Sequence, residues 1–406
     1  MLEGLRVVEL AHLIAGPYCG QLFADNGATV IKVEPPHGEI SRHRDPVAIR
    51  SEGSVTAHFA STNRGKKSIT VDLKSPDGRE FFLSLVDSAD VVLSNMRPGA
   101  LDRLGIGLAS LVERKPDLIA VSITGFGVED TINNERERAG LAVVAEAISG
   151  ITNLTKDRNG APVWCGFPLG DMIAGHTAYS SVLAAVLERQ RTGRGRFIDL
   201  ALADTILPLT AIAMAREQLA DEQLTASAAH NDFHGVPYGV FKAADGFVSI
   251  GANTNAFWLG VCRAMQRPDL AADPEFSTFE KRSARFDEVM ELVEAWTSGL
   301  SRDEIVRLLG EQDIPVSPVH NIAEVLKSER YAKRSMLVEV DDGVGGSLTL
   351  PADPALRGAA SRVGPVPRLG QHSNEIALEI LGTRDAVDAA TARGTFGPTE
   401  SAPSQA

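Results

Sequence analysis

The sequence predicts an α/β protein with a doubly wound parallel sheet, followed by a smaller α+β domain. Residues 5–10 and 28–34 are rich in apolar and β-branched residues, as in strands, and Ala15-Gly16-Pro17 opens a helix between them. A strand, a helix and a strand at this spacing form the βαβ unit of a parallel sheet. Strand-like runs at 68–73, 91–94, 118–123 and 197–201 extend the sheet, so residues 1–200 form the first part of a large domain.

The smaller domain is predicted at 231–325, after helix and linker at 201–230. Asp245-Gly246 separates two strand-like runs, which is a strong hairpin signal. Helical patterns follow near 255–265, 286–299 and 301–312. Residues 326–387 return to strand and turn, with strands at 336–340 and 347–350 that could pair and a last short helix from Gly370. The small and polar residues 388–406 predict a disordered tail.

Composition excludes several classes of function. The chain has 406 residues, a net charge of −13 and 44% hydrophobic residues, which is typical of a soluble globular protein and argues against nucleic acid as the main partner. No apolar run is long enough to cross a membrane, and the first residues lack the pattern of a secretion signal. The three cysteines are far apart and form no CxxC, so we expect a cytoplasmic protein without disulfides or a metal cluster.

The segment 166–175 places one carboxylate, Asp171, at the start of a helix among residues with small side chains. We expect Asp171 at or near the helix N-cap, where free backbone N–H groups and the helix dipole favour the ionised form. A carboxylate that is ionised and poorly solvated can act as a nucleophile, although the local pattern by itself favours an ordinary capping aspartate. The helical pattern continues to residue 188, with a buried stripe expected at Ile173, Val182, Leu183, Val186 and Leu187.

Polar and glycine-rich turns follow two of the predicted strands, at 95–99 and 124–127, where ligands of doubly wound sheets bind. Basic residues close to these turns in sequence suit a phosphorylated small ligand, although they also fit a solvated surface: Arg64, Lys66, Lys67, Lys74, Arg79, Arg97 and Arg103. No GxGxxG, P-loop, HExxH or GxSxG motif occurs, and the missing glycine fingerprint argues against a nicotinamide-dependent dehydrogenase.

A series of short motifs, in order from Gly4 to Gly382, resembles the family III CoA-transferases, also called the CaiB/BaiF family. The motifs include Ala15-Gly16-Pro17, Asn63-Arg64-Gly65-Lys66-Lys67-Ser68, Arg97-Pro98-Gly99, Gly125-Phe126-Gly127, the 166–175 segment, Pro237-Tyr238-Gly239-Val240-Phe241 and the run from Gly370 to Glu375. The resemblance implies a Rossmann-like large domain, to which 326–387 returns, and a small domain. It also implies two subunits threaded through each other as an interlocked homodimer.

The resemblance further implies an activity centred on Asp171. This carboxylate would attack an acyl-CoA thioester, giving an aspartyl anhydride and then an aspartyl-CoA thioester, from which CoA passes to a free carboxylic acid. Coenzyme A would thus be part of the substrates, with no permanently bound cofactor. By similarity, CoA contacts fall on Leu13, Val71, Lys74, Asn95, Met96 and Arg103, and His12 and Ile14 lie near the acyl group. A loop that contains Gly235 could supply N–H donors to an oxyanion.

The sequence departs from the family pattern at two places. Pro35 stands where many members have an arginine, which Arg42 or Arg44 could replace. Near Gly140 the usual tyrosine and acid are missing, and Arg136 and Arg138 could bind a second carboxylate there, as in a dicarboxylic substrate.

Two alternatives stay open within this family. An α-methylacyl-CoA racemase or epimerase needs an acid/base pair, typically with a histidine at 140–143, and none is present. A binding subunit of a heteromeric transferase would be expected to have lost the aspartate at position 171, which this chain retains.

Overall fold

The computed structural model describes residues 1–43, 55–128, 138–157, 160–219, 235–356 and 363–397. The chain divides into two compact units. The first comprises Met1–Thr152, Trp164–Thr210 and Glu329–Ala406, and the second comprises Asn153–Val163 and Ala211–Ser328. Residues 153–163 therefore cluster with the second unit and residues 201–210 with the first, two features that the sequence did not indicate.

The first unit is built on a six-stranded parallel sheet. Its strands are β1 (Arg6–Leu10), β2 (Thr29–Glu34), β3 (Lys67–Thr70), β4 (Val91–Ser94), β5 (Ile119–Thr124) and β6 (Arg196–Ala201). Their order is β3-β2-β1-β4-β5-β6, and Val7 of β1 pairs with Val30 on one side and with Val91 on the other. The prediction of a doubly wound α/β sheet is confirmed. The strand order reverses between β1 and β4, which marks the edge where such sheets bind ligands.

The described helices, in chain order, complete both units. They are α1 (Ala15–Asp25), α2 (Ala57–Asn63), α3 (Pro76–Asp87), α4 (Ala100–Arg103), α5 (Leu108–Arg114), α6 (Ala142–Ile148), α7 (Ile151–Leu154), α8 (Leu169–Thr192), α9 (Leu202–Ile206), α10 (Ala211–Leu219), α11 (Asn255–Ala264), α12 (Pro268–Ala272), α13 (Phe279–Ala284), α14 (Phe286–Thr297), α15 (Arg302–Gly310), α16 (Ile322–Leu326), α17 (Glu329–Lys333), α18 (Ser373–Leu381) and α19 (Arg384–Ala392). Within the described residues, none of these helices is both long and apolar enough to cross a bilayer.

Two apolar layers cover the faces of the six-stranded sheet. Because neighbouring residues of a strand point to opposite faces, Val8 packs in a layer with α3, α5 and α18, whereas Val7 packs in a layer with α1 and α8. Both valines are fully buried. Each strand therefore carries apolar residues on both faces, which explains why the sequence shows continuous apolar runs instead of alternation.

The C-terminal part of the first unit is more ordered than the sequence suggested. The prediction of disorder is wrong for residues 388–397, because α19 continues to Ala392 and buries Val387 and Ala390. Beyond the helix, Phe396 packs edge to face on Phe81, with ring centroids 4.9 Å apart. Residues 398–406 lie outside the described part of the chain. The strand pairing suggested for 336–350 is present as an antiparallel hairpin of β10 (Leu337–Asp341) and β11 (Ser347–Pro351).

The second unit has a three-stranded antiparallel sheet of β7 (Tyr238–Ala243), β8 (Gly246–Gly251) and β9 (Val316–Pro318). The hairpin predicted at Asp245-Gly246 is confirmed, and Ala243 pairs with Gly246 across it. Helices α11, α14 and α15 pack on this sheet around the buried side chains of Trp258 and Phe241. The third strand, β9, is short and was not predicted.

Candidate active site

Asp171 is the third residue of α8 and lies in its first turn. The helix begins at Leu169, and its N-cap is Pro168, which has no side chain that can accept a hydrogen bond. Asp171 is therefore inside the helix, and the expectation that it caps the helix needs correction. The carboxylate that does bind the helix start comes from another element, Glu146 of α6.

Glu146 is buried and accepts two hydrogen bonds. Its Oε1 accepts the backbone N–H of Gly170 at 3.0 Å, and its Oε2 accepts the indole Nε1–H of Trp164 at 2.6 Å. Gly170 can approach α6 this closely because it has no side chain: a Cβ there would lie 2.8 Å from Ile206 Cδ1 and 3.5 Å from Ala142. Glu146 thus accepts the hydrogen bond of one backbone N–H group, that of Gly170, in the first turn of α8.

This arrangement sets the protonation of Asp171. Burial, together with the negative charge of Glu146, raises the pKa of Asp171 to about 6. The sequence suggested the opposite direction, because a capping carboxylate would be stabilised in its ionised form. Since neutral pH lies above this value, Asp171 is still mostly ionised at pH 7, but it binds a proton more readily than an ordinary aspartate and is a more basic oxygen nucleophile.

Asp171 is held next to the start of α1 by close helix packing. A Cβ at Gly175, one turn after Asp171, would lie 2.8 Å from the carbonyl oxygen of Ala15 and 2.9 Å from Tyr18 Cδ1. The buried stripe of α8 consists mainly of small residues: Gly170, Ala174, Gly175, Ala178, Val182 and Ala185. Leu187 was predicted in this stripe, but it is 62% exposed. The positions that pack against α1 are small residues, which allow the two helices to approach closely.

The segment before α1 carries three of the predicted site residues. His12, Leu13 and Ile14 are half-buried and join β1 to α1. Leu13 has φ of +63°, a left-handed conformation that costs a branched side chain on the order of 1–3 kcal/mol and is frequent at functional sites. Burial lowers the pKa of His12, against the opposing charge of Glu39. His12 is therefore a neutral imidazole at pH 7.

Asn95, at the end of β4, is joined to this segment. The backbone N–H of His12 donates to Asn95 Oδ1 at 2.9 Å, and Asn95 Nδ2 donates to the carbonyl oxygen of His12 at 2.8 Å. The two turns at the switch point of the sheet are thus fixed to each other. The side-chain amide of Asn95 is engaged in this contact, so its predicted role in binding CoA stays a prediction.

A buried ionic network lies beneath the same turns. Lys32 Nζ is 2.9 Å from Glu9 Oε1, and Lys66 Nζ is 2.7 Å from Glu9 Oε2. Lys32 also donates to the carbonyl oxygen of Ala11, and Lys66 to that of Pro17. Burial lowers the pKa of Lys66 to about 8, although the Glu9 carboxylate acts against it. These bonds satisfy carbonyl groups on both sides of His12–Ile14 and so anchor the segment.

The basic residues divide into buried and exposed groups, so they do not form one positive patch. Arg64 is buried and pairs with Asp25 at 2.7 Å, and Lys66 belongs to the network described above. Lys67 bonds to Glu375, and Arg79 is half-buried and donates to the carbonyl oxygen of Lys74. The exposed members are Lys74, Arg97 and Arg103.

A cavity of about 500 Å³ opens at the carboxyl ends of β4 and β5. It is lined by Met96 and Arg103, which were predicted to bind CoA, and also by Arg97, Ser122 and Phe197 among others. Lys74 is exposed after β3, on the same edge of the sheet. The side chain of Val71 is buried in the core, so any contact that Val71 makes with a ligand uses its backbone.

The arginine suggested as a replacement at Pro35 is not available. Arg42 is buried, with Nε 2.7 Å and Nη2 2.8 Å from the two carboxylate oxygens of Glu34, and its guanidinium lies 3.7 Å from the centre of the Phe59 ring. Arg42 therefore supports β2 and does not reach a ligand. Arg44, the other candidate, lies outside the described residues.

Arg138 precedes α6 in sequence, and its side chain lies close to Phe126, which follows β5. Its guanidinium is 4.7 Å from the centre of the Phe126 ring, and the side chain is exposed. The backbones of Gly125 and Gly140 touch here, because a Cβ on Gly125 would lie 2.6 Å from the Cα of Gly140. Arg136 lies outside the described residues. Gly235 belongs to the second unit, has φ of +90° and is buried against Phe279, and its suggested role toward Asp171 stays a prediction.

The sequence did not identify Glu146 or Trp164 as site residues. Glu146 is the one charged residue of α6, whose other residues are alanine, valine and isoleucine. A single acid in such an apolar helix was the available signal, because an unpaired buried carboxylate is costly and must find donors.

Comparison with known proteins agrees with this architecture. The family model described as CoA-transferase family III matches residues 2–373. The chain is 35% identical over 381 residues to the succinyl-CoA:mesaconate CoA-transferase of Haloarcula marismortui, covering 92% of this chain and 95% of that protein. It is 32% identical over 385 residues to the succinyl-CoA:glutarate CoA-transferase of Mus musculus, covering 94% and 86%.

A solved structure is similar over almost the same length. The crystal structure of a CaiB/BaiF family protein from Brucella suis matches with a TM-score of 0.79 and 32% identity, covering 93% of this chain and 98% of that one. The fold and the site define a class of α/β protein that has a basic carboxylate near the switch point of its sheet. The chain belongs to CoA-transferase family III, and its activity is that of a CoA-transferase that uses CoA thioesters as substrates.

Proposed function

We propose that the protein transfers CoA from a dicarboxylic acyl-CoA to a free dicarboxylic acid, with Asp171 as the nucleophile. The observation that carries this proposal is the first turn of α8, where Asp171 is ionised at neutral pH and shielded enough to be basic. Water must be limited at such a site, because an acyl anhydride hydrolyses readily. The close packing of α8 on α1 through small residues, and the half-buried position of Asp171, support such exclusion.

The first half of the reaction loads CoA on the enzyme. A carboxylate oxygen of Asp171 adds to the thioester carbonyl carbon, the carbon–sulfur bond breaks, and CoA leaves as a thiolate with the electron pair. The thiolate then attacks the aspartyl carbonyl of the anhydride. This attack forms an aspartyl-CoA thioester and releases the donor acid as a carboxylate.

The second half repeats these steps with the acceptor. The acceptor carboxylate attacks the aspartyl thioester carbonyl and displaces the thiolate, which gives a second anhydride. The thiolate attacks the acceptor acyl carbon of that anhydride, which forms the new acyl-CoA and restores Asp171 as a carboxylate. Each step forms and breaks one acyl bond, so no oxidant or metal is needed.

The cavity at β4 and β5 is the proposed site of the CoA nucleotide. Arg97 and Arg103 line it and Lys74 is exposed on the same edge, so cationic groups are available for phosphates. Met96 and Phe197 supply apolar surface for a base or the pantetheine chain. Leu13 and His12, at the turn joined to Asn95, lie between this edge and α1 and would face the acyl end.

A dicarboxylic acid is proposed because of Arg138 and of the relatives. Arg138 is exposed and held on the Phe126 ring, an arrangement that fixes a guanidinium for bidentate contact with a carboxylate. The two relatives described above are named for succinyl-CoA with mesaconate or glutarate, all of which are dicarboxylic. We further propose that the two units are the large and small domains of an interlocked homodimer, that Gly235 supplies oxyanion donors, and that the protein is cytoplasmic.

The test is covalent trapping in the full-length protein. After exposure to succinyl-CoA, intact-mass analysis is expected to show an adduct that hydroxylamine removes and that peptide mapping places on Asp171. Asp171→Ala and Asp171→Asn should show neither adduct nor CoA exchange with mesaconate or glutarate, because neither side chain can form the anhydride. Asp204→Asn, on the exposed face of the neighbouring α9, is the matched control and should retain both.

Two results would contradict the proposal. Exchange that persists in Asp171→Asn would show that another residue carries the acyl group. A wild-type enzyme that exchanges monocarboxylic acids as well as dicarboxylic acids would remove the assigned substrate class, while leaving the role of Asp171 intact.

A further inference from the structure

Glu146 is a buried carboxylate that the reaction steps do not use. Its Oε1 bonds to Gly170 N–H and its Oε2 to Trp164 Nε1, so both oxygens have a donor and the side chain is fixed in one position. Gly170 is the residue immediately before Asp171. The second carboxylate is therefore held at the same helical turn as the proposed nucleophile.

The geometry points to Glu146 as a positioning residue that holds the first turn of α8 and keeps a fixed negative charge beside Asp171, so that acyl transfer to Asp171 is favoured. This inference rests on the proposed role of Asp171 as the nucleophile. It concerns a residue that forms and breaks no bond in the proposed steps. Its effect would come through its hydrogen bonds and its charge.

The physical reason is the movement of charge in the first step. Before attack, the negative charges of Asp171 and Glu146 lie close together, and each destabilises the other. When the carbon–sulfur bond breaks, the charge of Asp171 leaves with the CoA sulfur, and the aspartyl anhydride is neutral. The repulsion between the two carboxylates falls as the reaction proceeds, so Glu146 raises the energy of the free carboxylate more than that of the transition state.

The fixed position of Glu146 matters for this effect. A carboxylate that could rotate away or take up water would lose most of its influence on its neighbour. Trp164 Nε1 and Gly170 N–H prevent such rotation because they hold both oxygens at once. The two donors come from different parts of the chain, because Trp164 precedes α8 whereas Gly170 lies in its first turn.

Other ionisable groups near α8 do not supply the same charge. The elements that pack most extensively on α8 are α1, α6, α9, β5 and β6. Besides Glu146, they bring Tyr18, Cys19 and Asp25 of α1, Asp204 of α9, and Arg196 and Asp199 of β6, while α8 itself has His176, Tyr179, Glu188, Arg189 and Arg191. Tyr18 and Cys19 are neutral at pH 7, Asp25 is paired with Arg64, and Arg196 bonds to Glu188. Among the described groups, Glu146 is the one whose charge acts on Asp171.

The deciding experiment compares Glu146→Gln with Glu188→Gln in the full-length enzyme. Glu188 is an acid of the same helix that is paired with Arg196 near its other end, so its replacement removes one charge far from Asp171. Single-turnover formation of the aspartyl adduct from succinyl-CoA is followed from pH 5 to pH 8. The substrate is the same in every variant, so its own ionisation cancels from the comparison.

In the wild type, the rate of adduct formation should fall at acidic pH, and we call this part of the pH–rate profile the acidic limb. In Glu146→Gln we expect the limb to shift to lower pH by about one unit, the order of effect of one neighbouring charge. Adduct formation above the limb should slow several-fold, since a less basic carboxylate is a poorer nucleophile. Glu188→Gln should match the wild type in both respects. Glu146→Asp, which keeps the charge, should return the limb toward its wild-type position even though the shorter side chain lowers the rate.

Infrared titration gives a second readout that does not depend on turnover. The protonated carboxyl band in the difference spectrum of wild type minus Asp171→Asn should titrate at lower pH when Glu146→Gln is added to both proteins. If Glu146→Gln does not fold, Trp164→Phe decides: it removes one of the two donors that fix Glu146, so adduct formation should slow and the limb should move part of the way toward lower pH.

An unshifted limb and band in folded Glu146→Gln would overturn the inference, as would Glu146→Asp and Glu146→Gln giving the same profile. A limb that stays in its wild-type position in Trp164→Phe would also be contrary. Failure of the proposed function is distinguished from these results, because it would appear as adduct or exchange in Asp171→Asn.

Discussion

His12 and Asn95 exchange two hydrogen bonds across the switch point of the sheet, N–H to Oδ1 at 2.9 Å and Nδ2 to O at 2.8 Å. One residue follows β1 and the other follows β4, the two strands between which the order of the sheet reverses. The turns that form the ligand-binding edge are therefore joined by one side chain. The residues proposed to face the acyl group, His12 and Leu13, belong to the segment that this contact holds.

Asn95→Ala should weaken both the fold and substrate binding. Loss of the donor and acceptor leaves backbone groups of His12 without partners, and we expect the free energy of unfolding to fall by about 1–2 kcal/mol. The KM for succinyl-CoA should rise about tenfold, because the segment that carries Leu13 is no longer fixed. Urea denaturation and steady-state kinetics check the two effects. Asn95→Asp, which can accept from His12 but not donate to it, should be intermediate, and a wild-type KM in both variants would be contrary.

Asp171→Asn should stabilise the protein at neutral pH. The folded state holds the Asp171 carboxyl with a pKa of about 6, above its ordinary value, so ionisation of this group opposes folding. An amide has no such cost, and we expect a gain of about 1–3 kcal/mol in the free energy of unfolding at pH 8. As pH falls through about 6 toward 4, wild-type Asp171 becomes protonated and the gain should disappear.

Urea denaturation of both proteins from pH 4 to pH 8 measures this difference. Asp204→Asn, at an exposed position, is the control and should show no comparable pH dependence. A gain that is constant with pH would contradict the raised pKa.

Arg103→Ala should impair binding of the nucleotide without affecting chemistry. The residue lines the cavity at β4 and β5 and is exposed, so its charge is available for a phosphate. We expect a rise of about tenfold in KM for succinyl-CoA with little change in kcat, since one charge-assisted hydrogen bond contributes roughly 1.5–3 kcal/mol at most. Succinyl-pantetheine, which has no phosphates, should be used equally well by variant and wild type.

The control for this prediction is Arg114→Ala. Arg114 is also an exposed arginine, but it pairs with Asp87 outside the cavity. It removes the same charge from the protein, so equal KM values in the two variants would mean that only net charge matters.

Arg138→Met should alter the choice of acceptor acid. A guanidinium that binds the second carboxylate contributes to dicarboxylic acids alone, so kcat/KM for glutarate should fall about tenfold to a hundredfold while that for a monocarboxylic acid of equal length stays the same. Phe126→Leu keeps the charge and removes the ring on which it rests, so its effect should be smaller. Equal losses for both kinds of acid in Arg138→Met would show that the residue does not select the substrate.

The strands were predictable because their residues are buried on both faces of the sheet. Val91–Ser94 and Ile119–Thr124 are apolar runs bounded by turn residues, and their limits agree with the sequence to within a residue. The helix α19 was missed because its buried face consists of Val387 and Ala390 in a polar and small-residue background. Such a face gives little apolar signal in the sequence, and the helix is stabilised mainly by its packing on the rest of the unit.

The candidate site was predicted less completely, because burial and pairing are properties of the fold. Asp171 was identified, but its raised pKa results from burial and, to a smaller extent, from Glu146, which is distant in sequence. In the same way, Lys66 looks like a phosphate ligand in sequence and is instead buried on Glu9. A charge in a sequence shows that a partner is needed, and the fold decides which partner it is.

The touching backbones of Gly125 and Gly140 have a consequence for how such enzymes can diversify. The chain leaves the sheet and comes back to it through a single junction where neither residue can carry a side chain. Insertions, deletions and exchanges between these two positions therefore begin and end at the same point in space and leave the strands beneath them undisturbed. Arg138 lies inside that interval, so a change of the proposed acid-binding residue within this short stretch would leave Asp171, on a different element, in place.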